Sequence, residues 1–413
     1  LGEAGETWSA TIPKVPVGGP YRVELRIMAN DEPQATTSVY DVLVGDVWIL
    51  AGQSNMQGVG DRHDEDTPHP QVHTFAMNYE WRLAQEPLHT LAESSDPVHF
   101  DPNKTPEERE KAIVSWRDGG KGSGLGLPFA KEMLQRTGRP VGLIASAHGG
   151  TSMGQWDPTK KDLGGASLYG SMCQQVAAAG GKVRGVLWYQ GESDANKDAS
   201  PVFKQKLIEL IAAMRKDFGN PDLPFFQVQI GRVVLNWEPS FWDKIQTEQL
   251  AVANEVPHSG LVSSIDLATD DAIHISTPGL KVLGHRLAVL AEAELYDGKT
   301  LAGPRIKSAT RNGHLIRLTF SGVNGALTAA GRPRGFTLCD GQEEAGAPCT
   351  FKVETSIFKT ELDPNAPNDL ILSVNKPVPE NTHLWYGAGI DPYCNITDAE
   401  NMGLPVCGPV AVK

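Results

Sequence analysis

The sequence has no apolar run approaching the ~18–20 residues that span a bilayer. Its longest apolar runs, such as 47–51 and 141–147, are strand-sized. It is also short of positive charge. Lys and Arg number 37 against 50 Asp and Glu, a net charge of −13 that disfavours nucleic acid as a partner. No C-x-x-C and no His pair at zinc spacing occurs, so a structural metal is disfavoured and no organic cofactor is implied. Repeats and low-complexity tracts are absent as well. What remains, 40% hydrophobic and 21% charged residues in 413, is the balance of a folded chain of two to three domains, and it excludes disorder as the main state. The chain opens at Leu1 without a Met and reads as processed or trimmed.

Cysteine is scarce and uneven. Cys173 stands alone at helical spacing among apolar residues and is expected as a free buried thiol. Cys339, Cys349, Cys394 and Cys407 crowd a Gly/Pro-rich tail. They read as two disulfides paired between neighbours, Cys339–Cys349 and Cys394–Cys407, because short loops close most readily. Such pairs imply an oxidising, extracytoplasmic compartment, secreted or periplasmic. Four reduced, buried thiols are the alternative.

The pattern along the chain changes twice. Residues 21–27 and 36–44 alternate in the period of half-buried strands. From Gly45, short continuous apolar strands at 46–50, 141–147, 183–189, 225–230 and 261–265 alternate with helical stretches at 127–136, 168–179, 202–217, 242–254 and 280–296. Strands of that kind are buried on both faces. Parallel strands joined by helices make a three-layer α/β/α domain with its site at the strands' C-terminal ends. Residues 58–126 interrupt the alternation with a polar insertion, long enough to shape a binding site. After residue 301, short strands at 314–320, 335–339, 370–374 and 383–386 read as a small β-sandwich. The division expected is therefore 1–44, an N-terminal β segment; 45–300, the α/β domain; and 301–413, a C-terminal β domain.

Four strand ends carry the polar residues that chemistry needs. The first strand runs into Gly52-Gln53-Ser54-Asn55-Met56, where a serine past a buried strand is placed as a nucleophile. Met56 takes the place of the second glycine of G-x-S-x-G, so a sharp nucleophile elbow is disfavoured. An N-capping serine is the bland reading. A base and its orienting carboxylate can come from Asp-x-x-His, which occurs three times: Asp66/His69, Asp96/His99 and Asp271/His274. The first two lie in the polar insertion and read as solvated loop residues. Asp271/His274 lies between a core strand and the helix opened by Thr277-Pro278, on the same sheet edge as Ser54. Donors for a tetrahedral oxyanion are offered by His148-Gly149-Gly150-Thr151 and by the Gln190 amide. His148-Gly149-Gly150 could instead be a lipase-type oxyanion loop with Ser152 as a rival nucleophile, but no elbow accompanies it. Trp81, Trp156 and Trp237 are candidate sugar-stacking platforms, Trp156 foremost because it follows the Gly-Gly loop. Asn103 and Asn395 begin glycosylation sequons.

Together, G-Q-S-N-M at 52–56, Gly149-Gly150-Thr151 with Trp156, W-Y-Q-G-E-S-D at 188–194, and Asp271-x-x-His274 resemble the sialate O-acetylesterase-like carbohydrate esterases of the SGNH (GDSL-type) hydrolase superfamily. The resemblance implies a flavodoxin-like SGNH domain and a serine esterase that removes acetyl groups from glycans, sialic acid or plant and other polysaccharides, through an acetyl-enzyme. By position it implies Ser54 as nucleophile, His274 as base and then acid, and Asp271 as its orienting partner. The oxyanion hole would comprise the Ser54 N–H, a Gly149 or Gly150 N–H, and Gln190. Glu192 would be structural. A broad lipase or thioesterase on the same scaffold, or a non-catalytic carbohydrate-binding protein, is the alternative function.

Overall fold

In the computed structural model, residues 10–296, 298–340 and 354–413 are described. The chain begins with an antiparallel hairpin, β1 (Gly18–Ala29) and β2 (Glu32–Val44). It then enters a seven-stranded sheet built from β3 (Asp46–Gly52), β4 (Val72–Phe75), β5 (Trp81–Leu83), β6 (Val141–Ala145), β7 (Gly185–Tyr189), β8 (Phe225–Val228) and β9 (Ser259–Val262). The spatial order is β9-β8-β7-β3-β6-β4-β5. All pairings are parallel except the last, where β4 and β5 form an antiparallel edge.

β3 is central because its side chains want no water on either face: Trp48, Ile49, Leu50 and Ala51 are wholly buried. The chain leaves β3 toward β4 and returns on the other side through β7. The strand order thus reverses direction at β3, the place where open α/β sheets hold their sites. Helices α1 (Ser54–Gln57), α2 (Pro106–Arg117), α3 (Gly126–Thr137), α4 (Leu168–Ala178), α5 (Phe203–Asp217), α6 (Pro239–Glu255) and α7 (Thr277–Leu295) accompany the strands. On α5 the apolar spacing holds: Phe203, Leu207, Leu210, Ile211 and Met214 are all buried.

The polar insertion is more ordered than its composition predicts. It contributes β4 and β5 to the sheet edge and the helix α2. It also contributes buried polar residues, among them His89, Asp96 and His99.

The C-terminal part is rich in β structure. Strands at Arg305–Asn312, Leu315–Ser321, Asp369–Val374 and Ile357–Leu362 form one antiparallel sheet. Strands at Phe336–Asp340, Thr382–Tyr386 and Cys407–Ala411 form another. Residues of both share one core that includes Leu318, Leu372, Leu384 and Tyr386. It joins the larger sheet through Gln229, whose side chain donates to the Val406 carbonyl (3.0 Å) and accepts from its N–H (2.8 Å).

The tail cysteines need a correction. Cys394 and Cys407 are free buried thiols, not a pair. Cys407 sits in strand register with Tyr386, and Cys394 hydrogen-bonds the same tyrosine from the loop that follows. Burial pushes both thiols up to about 12. Cys407 is committed to the ladder opposite Tyr386 while Cys394 lies in a loop, an arrangement that the short sequence separation does not reveal. The Cys339–Cys349 pairing lies outside the described residues. Cys173 is free as expected and only partly buried.

Candidate active site

Gly52 ends β3 with φ near +131°, and a side chain there would meet the Tyr189 carbonyl at 2.2 Å. Only glycine lets the chain turn this closely beside β7. The ladder then continues past the strands. Gln53 N–H donates to the Tyr189 carbonyl (2.8 Å) and His148 N–H to the Gly52 carbonyl (3.0 Å), which stitches three strand ends together. Ser54 follows as the first residue of α1.

The loop between β9 and α7 brings its partners. It is closed on itself by Asp270 N–H to the His274 carbonyl (2.9 Å) and Ser276 N–H to the Ala268 carbonyl (2.9 Å). Ser276 then caps α7 through the Gly279 N–H, with Pro278 in the first turn. At its tip, His274 Nε2 lies 2.9 Å from Ser54 Oγ and Nδ1 lies 2.8 Å from Asp271 Oδ2. Asp271 Oδ1 accepts from the N–H groups of Ile273 and His274, both at 2.9 Å. Partial burial pushes the Asp271 carboxyl up, but these hydrogen bonds outweigh it and hold the group below its ordinary range.

Two residues that the sequence reading did not single out hold this line straight. Asn55 reaches across to the histidine loop and grips it on both sides of His274. Its Oδ1 accepts from the Ile275 N–H (3.0 Å), and its Nδ2 donates to the Ile273 carbonyl (3.4 Å) and to Glu192 Oε1 (2.9 Å). Glu192 is buried, and burial raises its carboxyl above the usual range despite the Asn55 hydrogen bond. Gln57 accepts from the Gly149 N–H at 2.8 Å. A side chain on Gly149 would come within 3.4 Å of Ser54 Cβ, so the Gly-Gly loop lies directly against the serine. Asn55 lies inside the G-Q-S-N-M string and Gln57 just after it, which was the available signal.

Two expected roles do not fit the geometry. The Gln190 amide is fully buried and faces inward: its N–H groups go to Asp194 Oδ2 (2.5 Å) and the Thr151 carbonyl (3.0 Å). With both donors taken, Gln190 ties the loops after β6 and β7 together and has none free for an oxyanion. Gly149 is likewise committed to Gln57. By contrast, the Ser54 and Gly150 N–H groups take no hydrogen bond among the described residues. Trp156 is not a platform either. It is wholly buried, packs edge-on against Trp188 at 5.3 Å and donates from Nε1 to Thr151 Oγ1 (3.0 Å). Its position after the Gly-Gly loop places it beneath that loop. Trp81 and Trp237 are partly exposed, Trp81 on the far edge strand and Trp237 against Trp242. Among the described residues the Ser152 hydroxyl hydrogen-bonds only Gln155 and meets no histidine.

Of the other Asp-x-x-His pairs, Asp66 bridges to Lys131 (2.6 Å) at the surface. Asp96 and His99 are buried rather than solvated. Among the described residues, no three His, Cys, Asp or Glu side chains are gathered to hold a metal, and no helix is long and apolar enough to cross a membrane.

A hydroxyl, an imidazole and a carboxylate in one hydrogen-bonded line beyond a parallel sheet are equipped for acyl transfer. Comparison with known proteins gives the same class. The family described as carbohydrate esterase, sialic acid-specific acetylesterase, matches residues 44–292, more than half of the chain, and the chain belongs to it. A probable carbohydrate esterase of Arabidopsis thaliana is 27% identical over 278 residues, 62% of this chain and 88% of that protein. Human sialate O-acetylesterase is 27% identical over 217 residues, 46% of this chain and 39% of that protein, so the chain matches about two fifths of that relative's length. In fold, a solved carbohydrate acetylesterase from Xanthomonas citri superposes with a TM-score of 0.68 at 22% identity, covering 97% of this chain and 87% of that one. The chain is thus a carboxylic ester hydrolase of the carbohydrate acetylesterase kind.

Proposed function

We propose that the protein is a serine O-acetylesterase in which Ser54 is the nucleophile, His274 the general base and then acid, and Asp271 the group that orients His274. His274 Nε2 takes the Ser54 proton as Oγ attacks the acetyl carbonyl. The oxyanion forms against the N–H groups of Ser54 and Gly150. His274 passes its proton to the departing sugar hydroxyl, leaving acetyl on Ser54. Water, deprotonated by His274, then attacks that ester and releases acetate. Asp271 accepts from Nδ1–H throughout, which keeps Nε2 as the basic nitrogen and stabilises the imidazolium between steps.

The observation that carries this reading is the unbroken line from Ser54 Oγ through His274 to Asp271, at 2.9 and 2.8 Å. The division is 1–44, 45–300 and 301–413, with a three-layer α/β/α SGNH domain in the middle and a small β-sandwich at the end; two hydrophobic cores, which exchange Met402 and Ile265 across the boundary, support the separation of the last two. The substrate is an acetylated glycan. An extracytoplasmic location now rests on the tail cysteines outside the Cys394/Cys407 set. The test is acetate release from a panel of acetylated glycans by the native chain and by Ser54→Ala. A loss of at least ~10³-fold with an unchanged melting temperature is expected. Retention of a tenth of the activity would refute the nucleophile.

A further inference from the structure

The His99 N–H donates to the Asp96 carbonyl (3.1 Å), but their side chains are linked only through Ser171, which stands between them. Ser171 Oγ donates to Asp96 Oδ2 (2.5 Å), which also accepts from the Tyr79 hydroxyl (2.8 Å). Ser171 has one proton, and it is spent on Asp96. The serine therefore accepts from His99 Nε2–H, 3.1 Å away. Burial pushes His99 down to about 3, so the ring is neutral and its Nδ1 is a lone pair. That lone pair faces His148 Nδ1 at 3.1 Å, so His148 must carry its proton on Nδ1. Burial also lowers His148 from its ordinary range, which favours the neutral ring. The chain of donors ends at His148 Nε2, an acceptor that is bonded to nothing among the described residues and is open to solvent.

His148 immediately precedes the glycine that lies against Ser54. It also lines a cavity of about 170 Å³ with Thr151, Gln155, Lys160, Leu163 and Leu168. We propose that this cavity is a sugar subsite and that His148 Nε2 accepts a hydrogen bond from a free hydroxyl of the acetylated glycan, making His148 a specificity-determining residue. The inference rests on the esterase reading above. A lone pair fixed by a buried relay recognises O–H donors and rejects groups that only accept. The apolar side chains offer the sugar ring a face to cover.

His148→Phe keeps a ring and removes both nitrogens. The experiment compares kcat/KM for a mono-O-acetylated methyl glycoside, its other hydroxyls free, with that for p-nitrophenyl acetate. The ratio should fall about tenfold, chiefly through KM for the glycoside. An unchanged ratio would overturn the subsite, whereas native protein that cleaves neither ester would overturn the esterase reading beneath it. Nitrogen-15 shifts of the native protein test the relay without any substitution. A neutral His148 protonated on Nδ1 is expected, and a proton on Nε2 would overturn the assignment.

Discussion

The molecule contains two sets of serine, histidine and aspartate, each with Asp-x-x-His spacing, and they are wired in opposite orders. At the sheet edge, His274 lies between Asp271 and Ser54, so the carboxylate orients the imidazole and the imidazole can relieve the serine of its proton. Where α4 meets the insertion, Ser171 lies between the Asp96 and His99 side chains, so the carboxylate holds the serine proton itself. The first set is partly open to solvent; the second is buried. The same residue types and spacing therefore build two different hydrogen-bonded lines, set apart by order of connection and by access to water.

Exchanging one carboxylate at a time should separate the two sets most sharply. In Asp271→Asn the side-chain oxygen keeps its two backbone N–H donors, which turns the amide N–H₂ toward His274 Nδ1. The proton then sits on Nε2, and the base is lost. A kcat drop of roughly 10³-fold or more is expected in steady-state assays, with the fold intact. Asp96→Asn should act in the other direction, lowering the melting temperature while kcat changes much less. Equal kinetic damage from both would break the distinction.

Gln190 gives the next effect. Because its buried amide joins Asp194 to the Thr151 carbonyl, Gln190→Ala should cost stability, about 1–3 kcal/mol by denaturant titration, with a modest kinetic change. A 10²-fold loss of kcat at unchanged stability would instead make Gln190 an oxyanion donor.

An effect of similar size, visible only on changing pH, comes from His99. Buried His99 is held down to about 3 by desolvation and by neighbouring His148, whereas in the unfolded chain it protonates near ~6.5. Its contribution to stability is complete above that value. It falls as pH drops, because the unfolded state takes a proton that the native state refuses. Between pH 7.5 and 5 the native chain should lose about 2 kcal/mol more than His99→Gln, as read from paired denaturant melts. Identical losses would mean that His99 is protonated in place.

What the sequence made legible follows burial. The five parallel strands β9, β8, β7, β3 and β6 were readable because nearly all their side chains are buried and most of them are apolar. The Ser54–His274–Asp271 line was readable because Ser54 follows β3 directly and Asp271/His274 lie in the loop between β9 and α7. The edge pair β4 and β5 was not, being three or four residues long with Trp81 and Leu83 partly exposed. Helix α2 buries none of its residues, so it has no apolar stripe to find. Only its Thr105/Glu108 capping box and Pro106 marked its start. The Ser171 relay was illegible for another reason: its members come from three separated segments, and nothing local says that Asp96 and His99 are buried.

Of the two serines, Ser54 alone is proposed as the nucleophile. Treatment with a fluorophosphonate, followed by peptide mapping, tests it directly. The account predicts stoichiometric modification of Ser54 that abolishes acetate release, with Ser171 unmodified. Modification at Ser171, or full inactivation with Ser54 untouched, would contradict it.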